Sequence, residues 1–363
     1  MWKSMNILFL SNASGYGGSE RTLEILAKHM AKKNKVTVFV QNEIHRDKLN
    51  ESGICVIEAD KGWIVKKIIK DLYLIYDEIM RNDGVIANTN KAAMYLAILS
   101  FFLPKRKIKK SIVFVRDFQW KYCHFIFWAL SNSIICVASP AVKEYVNKYK
   151  VRPLVIPNPI EFKYKALSLD VGKEDMSTPI ILCPAMISRW KGLEYLIRSL
   201  ALIETDCQLY IIGKIVDEEY YSFIKDEVVL LKLSERVRFV DFTSDISNYY
   251  KMSTVIVNTS ISDYGGPETF GRTIIEGWSF KKPVVSFDCG GPKYLIQNNV
   301  DGVLVKEKSV FDLACALQKI LHDRNYSNML GMNGYNKALQ KYNVDIITKT
   351  ILKELYETAV RNK

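Results

Sequence analysis

Short unbroken apolar runs recur along the chain, separated by stretches in which apolar positions return every three or four residues. In the first half the runs read "NILFLS", "KVTVFV", "ICVIEA", "GVIANT", "SIVFVRD", "SIICVAS" and "RPLVIPN". In the second half they read "PIILCPAM", "CQLYIIG", "RVRFVDF", "TVIVNTS", "KPVVSFD" and "GVLV". Runs that are apolar throughout, rather than alternating, suit strands buried on both faces, and the helical stretches between them, such as 19–33 and 91–103, supply the cover. Between residues 155 and 179 periodicity fades, prolines cluster and polar residues dominate, which marks a linker. The pattern predicts an α/β chain of two doubly wound, Rossmann-like domains facing across a cleft. Their expected bounds are 1–160 and 161–342, with an amphipathic helix over 343–363 packing back toward the N-terminal domain. In such sheets ligands bind beyond the carboxyl ends of the strands, so the residues that follow each strand are the place to look for chemistry.

Composition narrows the class. A length of 363 residues suits two α/β domains, and 48% hydrophobic residues place the chain among globular proteins. Lys and Arg number 51 against 39 Asp and Glu, a net charge of +12 that attracts anions: nucleic acid, lipid headgroups or phosphorylated small molecules. The seven cysteines are scattered singly, several inside apolar runs, and read as buried reduced thiols. Four distant histidines give no ligand spacing, so no structural metal is expected. The N-terminal apolar run is a first strand, too short for a signal peptide core. The longest apolar stretch, 92–104, is too short to span a bilayer, which predicts a cytoplasmic or peripheral protein.

Four segments carry candidate chemistry. After the first strand, "SGYGGSERTLEILA" offers Gly15, Gly17 and Gly18 for close approach and positive φ, with Ser19 or Glu20 opening a helix whose free amides suit an anion. It reads either as a tight turn or as a ligand-facing one. "SIVFVRDF" ends a strand on Arg116 and Asp117, either a local ion pair or an oxyanion binder beside a hydroxyl acceptor. "SRWKG" places Arg189 and Lys191 at a strand-to-helix junction, as counter-charge for a diphosphate or as a solvated basic turn. "PETFGRTIIEGW" sets Glu268 where it could cap a helix, and Glu276 on an otherwise apolar face, where a carboxylate is costly unless bonded. Such a pair can also serve hydrolysis, one acid and one nucleophile. Its place beside the glycine turns, the second being Gly290–Gly291, fits a donor clamp better.

Together these residues resemble the retaining glycosyltransferases of family 4, which have the GT-B fold. "GYGGSERTLEILA" is similar to that family's N-terminal glycine motif, "VIPNPIEF" to its entry into the second domain, and "SRWKG" to its diphosphate motif. "PETFGRTIIEGWSFKKPVVSFDCGG" resembles its E-x7-E block. The resemblance implies metal-independent transfer of a sugar, with retained configuration, from a nucleotide-diphosphate donor such as a UDP- or GDP-sugar. It implies no cofactor. Glu276 would hold the ribose, Glu268 the donor sugar with the amides of Phe270 and Gly271, and Arg272 would join that donor site. Lys191 would neutralise the leaving diphosphate, Gly17 and Gly18 would line the phosphate, and Glu20 and Arg116 would lie on the acceptor side with Asp117 near the chemistry. Two departures stand out: Met186 replaces the usual arginine five residues before the lysine, with Arg189 expected to substitute, and Arg116 replaces a sugar-contacting histidine.

Residues 62–80 and 101–111 mix aromatic and aliphatic residues with lysines. They read either as ordinary packed helices or as a peripheral contact with an anionic membrane. The second reading makes a glycan or lipid-linked glycan the acceptor, in surface polysaccharide or glycoconjugate synthesis at the inner face of the membrane. The alternatives are a catalytically impaired nucleotide-sugar-binding protein, motivated by Met186 and Arg116, and a basic nucleic-acid-binding protein. The dispersed cations and the lack of an RNA or DNA motif argue against nucleic acid as a partner.

Overall fold

The computed structural model describes residues 3–13, 15–60, 64–118, 120–162, 178–243 and 246–360. Most of the expected linker, residues 163–177, and the start of the 62–80 segment lie outside the described residues. The chain divides into two compact units: Met1–Glu161 with Asn343–Lys363, and Phe162–Tyr342.

Unit 1 is built on a parallel sheet of β1 (Asn6–Ser11), β2 (Lys35–Val40), β3 (Cys55–Glu58), β4 (Gly84–Ala87), β5 (Ser111–Val115), β6 (Ile134–Val137) and β7 (Leu154–Val155), in the order β3-β2-β1-β4-β5-β6-β7. The strand period of two sorts its side chains cleanly. Leu8 and Leu10 of β1, with Val113 and Val115 of β5, enter one core. Ile7, Phe9, Ile112 and Phe114 enter the core on the opposite face. Two helices, Gly18–Ala31 and Val344–Val360, cover that second face. The C-terminal helix contributes Ile347, Ile351 and Leu355, spaced by four so that they share one stripe, and His29 meets Asp345 at 2.9 Å.

Unit 2 repeats the plan with β8 (Ile180–Pro184), β9 (Gln208–Ile212), β10 (Val237–Val240), β11 (Val255–Asn258), β12 (Val284–Phe287) and β13 (Val303–Val305), ordered β10-β9-β8-β11-β12-β13 and parallel throughout. In both units the strand order reverses beside the first strand, at β1/β4 and at β8/β11. There the connecting helices leave on opposite faces and the loops diverge, and this is where a doubly wound sheet takes its ligand. The helix Arg272–Ser279 packs on the helix Arg324–Lys341 through a close crossing, where a Cβ on Gly334 would fall 2.1 Å from the Trp278 ring. Trp278 is fully buried and satisfies its indole on the Asp301 carbonyl at 2.8 Å.

The cysteines are free thiols; five are buried, whereas Cys55 and Cys315 reach the surface, contrary to the expectation of uniform burial. Among the described residues no helix is long and apolar enough to cross a membrane.

Candidate active site

In unit 2 the carboxyl end of β8 runs into a single 3-10 turn, Arg189–Lys191, then Gly192 and the helix Leu193–Leu200. Gly192 takes φ +57, the left-handed region, and a Cβ there would lie 2.4 Å from the Thr259 carbonyl. The neighbouring strand end grips this turn. Thr259 Oγ1 donates to the Lys191 carbonyl at 2.9 Å, and the Ile261 amide donates to the Trp190 carbonyl at 2.8 Å.

The clamp points Lys191 into a small polar cluster. Its Nζ lies 2.7 Å from Glu268 Oε2, 3.3 Å from Ser260 Oγ and 3.6 Å from the centre of the Trp190 ring. Both side chains of the ion pair are largely buried, 12% and 19% exposed, so screening is reduced and the charges matter to whatever binds there. The expectation that Glu268 could cap a helix is not met. Gly271 occupies the N-cap of Arg272–Ser279, at φ +96 with no side-chain cap, and Glu268 lies three residues upstream bound to Lys191. Glu276 alone of the two lies on this helix.

The helix Arg272–Ser279 starts without a side-chain cap, so its positive end acts on this neighbourhood. The helix after Gly192 is different, because the Leu193 and Glu194 amides donate to the Tyr220 hydroxyl at 2.7 and 3.3 Å. Within Arg272–Ser279, Glu276 is held on both oxygens. Arg272 Nε lies 2.9 Å from Oε1, and the Tyr250 hydroxyl donates to Oε2 at 2.9 Å. This answers the cost of a carboxylate on an apolar face, since the Arg272 charge and the Tyr250 hydroxyl stand in for water. Gly290 and Gly291 fold against the same segment. Gly290 has φ +55, and a Cβ on Gly291 would meet the Phe270 backbone at 2.5 Å, so only glycine lets these two chains touch. The Gly291 amide donates to the Glu268 carbonyl at 2.6 Å.

Arg189 is paired on the other side of the turn. Its guanidinium meets Asp217 at 3.3 Å and Glu219 at 3.6 Å, tying the turn to the start of the helix Glu218–Leu230, and Met186 is partly exposed.

In unit 1 the turn after β1 leads into Gly18–Ala31. Gly17 is the N-cap in extended backbone, φ −151, and Gly18 is helical, so the expected positive φ occurs at neither. Glu20, at the third helical position, accepts from the Gly17 amide at 3.0 Å and from the Ser19 hydroxyl at 2.8 Å. Its carboxylate is thus turned inward on its own helix start. Arg116, just past β5, donates to Asn88 at 2.8 Å and to Asn158 at 2.6 Å and lies over the Phe114 ring. Asn88, just past β4, donates in turn to the Ser19 carbonyl at 3.1 Å, so Arg116 and the glycine turn form one network. Asp117 is exposed beside it.

Sequence reading missed Ser260, Tyr250, Asn88 and Asn158. The buried triplet Asn258, Thr259 and Ser260 carries a usable signal, being three polar residues in succession where a parallel strand ends. Tyr250 carries none, because its partner is 26 positions away.

The comparisons agree with this architecture. Residues 166–337 match the family model described as glycosyl transferases group 1. An uncharacterized glycosyltransferase of Haemophilus influenzae is 23% identical over 344 residues, 87% of this chain and 90% of that protein. The lipopolysaccharide core biosynthesis glycosyltransferase LpsD of Rhizobium meliloti is 23% identical over 53% of this chain and 54% of its own. Several other curated relatives are likewise matched over about half their length. Among solved structures, Anabaena Alr3699/HepE in complex with UDP-glucose superposes with a TM-score of 0.83 at 22% identity, over 97% of this chain and 100% of that one. At this identity the superposition speaks for the fold, two parallel-sheet α/β domains of the GT-B kind. Residues 166–337 thus match the glycosyl transferases group 1 family model, in a chain whose two sheets repeat the fold of solved glycosyltransferases.

Proposed function

We propose that the protein transfers a sugar from a nucleotide-diphosphate donor, a UDP- or GDP-sugar, to a glycan or lipid-linked glycan acceptor. The observation that carries this reading is the cluster at the β8/β11 switch point. Lys191, Ser260 and Glu268 lie next to an uncapped helix start, with Glu276 held one helical turn further on.

Each residue has a chemical task. Lys191 and the amides at the start of Arg272–Ser279 stabilise negative charge on the departing diphosphate, an interaction that grows in the transition state. Glu268, ion-paired with Lys191, takes sugar hydroxyls as its donors once the diphosphate claims the lysine. Glu276, fixed by Arg272 and Tyr250, takes the ribose hydroxyls. In unit 1 the Gly17–Gly18 turn, its Gly17 amide held by Glu20, lines the donor phosphate, and the network of Glu20 and Arg116, with exposed Asp117, belongs to acceptor handling. Arg189 has a structural role in the 189–191 turn.

The transfer proceeds with retention and without a metal. The acceptor oxygen forms its bond to the anomeric carbon on the face the diphosphate leaves, the bond to the diphosphate oxygen breaks, and that oxygen takes the acceptor proton. The relative LpsD is named for lipopolysaccharide core biosynthesis, and HepE was solved with UDP-glucose, which supports a surface-glycan role and a uridine donor.

A thermal-shift and nucleotide-release screen across UDP-, GDP- and ADP-sugars tests the reading. One donor class should raise the unfolding temperature, by mass action, and release its nucleotide on turnover. Lys191→Ala should lower kcat by about 100-fold or more with the fold intact, and Glu268→Gln should lose transfer while keeping its thermal stability. Full turnover in Lys191→Ala, or no stabilisation by any sugar nucleotide, removes the proposed site.

A further inference from the structure

Unit 1 carries an aromatic surface that its own core does not use. The helix Cys123–Ala129 buries Cys123, Ile126 and Phe127 and turns Phe125 and Trp128, three apart, outward. It packs against the helix Asn90–Leu99, after which the chain turns with Phe101 and Phe102 exposed. The rings meet: Phe101–Phe125 centroids are 6.2 Å apart, Phe101–Trp128 5.9 Å and Phe125–Trp128 6.4 Å. Trp128 is 66% exposed and Phe102 71%. Single exposed apolar residues are ordinary, but a contiguous patch of large rings leaves unfavourable contact with water that a partner would remove.

The same stretch is strongly basic. Between residues 101 and 133 the chain has seven Lys and Arg and one acid, Asp117. Not every cation is free for a partner: Lys107 donates to the carbonyls of Met80 and Asn82, and Arg116 is bound to Asn88 and Asn158. Lys105 and Arg106, which open the helix Lys105–Lys109 just past Phe102, are exposed, as is Lys121 just before the helix that carries Trp128.

We infer that this face of unit 1 docks on a lipid bilayer rich in anionic headgroups, with Trp128, Phe101 and Phe102 at the headgroup boundary and Lys105, Arg106 and Lys121 on the lipid phosphates. Charge complementarity selects this occupant. Clustered rings partition into an interface that is apolar on one side and wet on the other, and cations flanking them add attraction only where the surface is negative. The net charge of +12 gives the attraction at longer range. The inference stands on unit 1 alone and does not depend on the proposed transfer reaction.

Cosedimentation of the full chain with vesicles of phosphatidylcholine and phosphatidylglycerol, against phosphatidylcholine alone, tests it. Binding should require the anionic lipid and weaken as salt is raised. The double variant Phe101→Ser/Trp128→Ser and the double variant Lys105→Glu/Arg106→Glu should each bind about tenfold or more weakly, with unchanged unfolding temperatures because all four side chains are exposed. Three results overturn the proposal. The first is no binding to anionic vesicles at low salt. The second is wild-type vesicle binding by the aromatic variant, which marks a purely electrostatic surface open to oligonucleotides or acidic proteins. The third is wild-type self-association in sedimentation velocity that the aromatic variant abolishes, which marks the face as a contact between copies of the chain.

Discussion

Glu276 shows what a single side chain needs before it can bind anything. A carboxylate among Ile274, Ile275 and Trp278 is stabilised by the Arg272 charge at one oxygen and the Tyr250 hydroxyl at the other. Tyr250 is buried and its ring stacks on Phe280 at 5.1 Å, so Tyr250→Phe removes the hydroxyl and keeps the packing. Loss of a hydrogen bond to a charged group costs about 1.5–3 kcal/mol, so the affinity for the donor nucleotide should fall roughly tenfold or more while kcat changes little. Titration calorimetry with the nucleotide identified by the thermal screen measures this. Unchanged affinity would show that the Tyr250 hydroxyl does not position Glu276 for the nucleotide.

At the scale of elements, the turn between β8 and the helix Leu193–Leu200 depends on one glycine. Gly192→Ala forces a Cβ into left-handed backbone, which costs about 1–2 kcal/mol, and drives it against the Thr259 carbonyl. The same strand end supplies Thr259 and Ser260 to hold Lys191 and Ile261 to hold Trp190, so the variant should lower both thermal stability, by roughly 5 °C, and the response to donor nucleotide. Differential scanning fluorimetry with and without nucleotide separates the two effects, and an unaltered unfolding temperature would refute the close contact. The first helix start makes the complementary point. The glycines of 15–18 suggested a left-handed turn, but Gly17 is extended, and the capping comes from Glu20 reaching back to its amide.

At the scale of the whole molecule, the two units carry separate cores, so their stabilities answer to different groups. In unit 1, His45 is fully buried, edge-on to Tyr16, with neither ring nitrogen hydrogen-bonded, and Glu24 and Lys48 are the charges that act on it. Burial, outweighing the attraction of Glu24, pushes it down to about 4 from 6.5. The unfolded chain then binds the extra proton between those values, so the contribution is complete above about pH 6.5 and is lost as pH falls toward 4, on the order of 3 kcal/mol in all. Calorimetry from pH 7 to pH 4 should show the unit 1 transition falling with acid. His45→Phe should flatten that fall and leave the unit 2 transition unchanged; an equally steep fall in the variant would exclude His45.

The central strand runs were legible in the sequence, because a parallel strand buried on both faces must be largely apolar, and that demand is local; the edge strands β3 and β7 are more exposed. Lys191 was legible as well, as a cation at a strand end, and Glu276 as a carboxylate in need of partners. The identity of those partners was not. Glu268 pairs with a lysine 77 positions away, Glu276 takes a hydroxyl from Tyr250, and Arg189 turns to Asp217 and Glu219. Hydrogen bonds and ion pairs between distant segments are set by strand order and helix packing, which bring together residues that no local period connects. The sequence by itself therefore determined the elements and the strand ends where chemistry gathers, while only the tertiary structure decided which charge faces which.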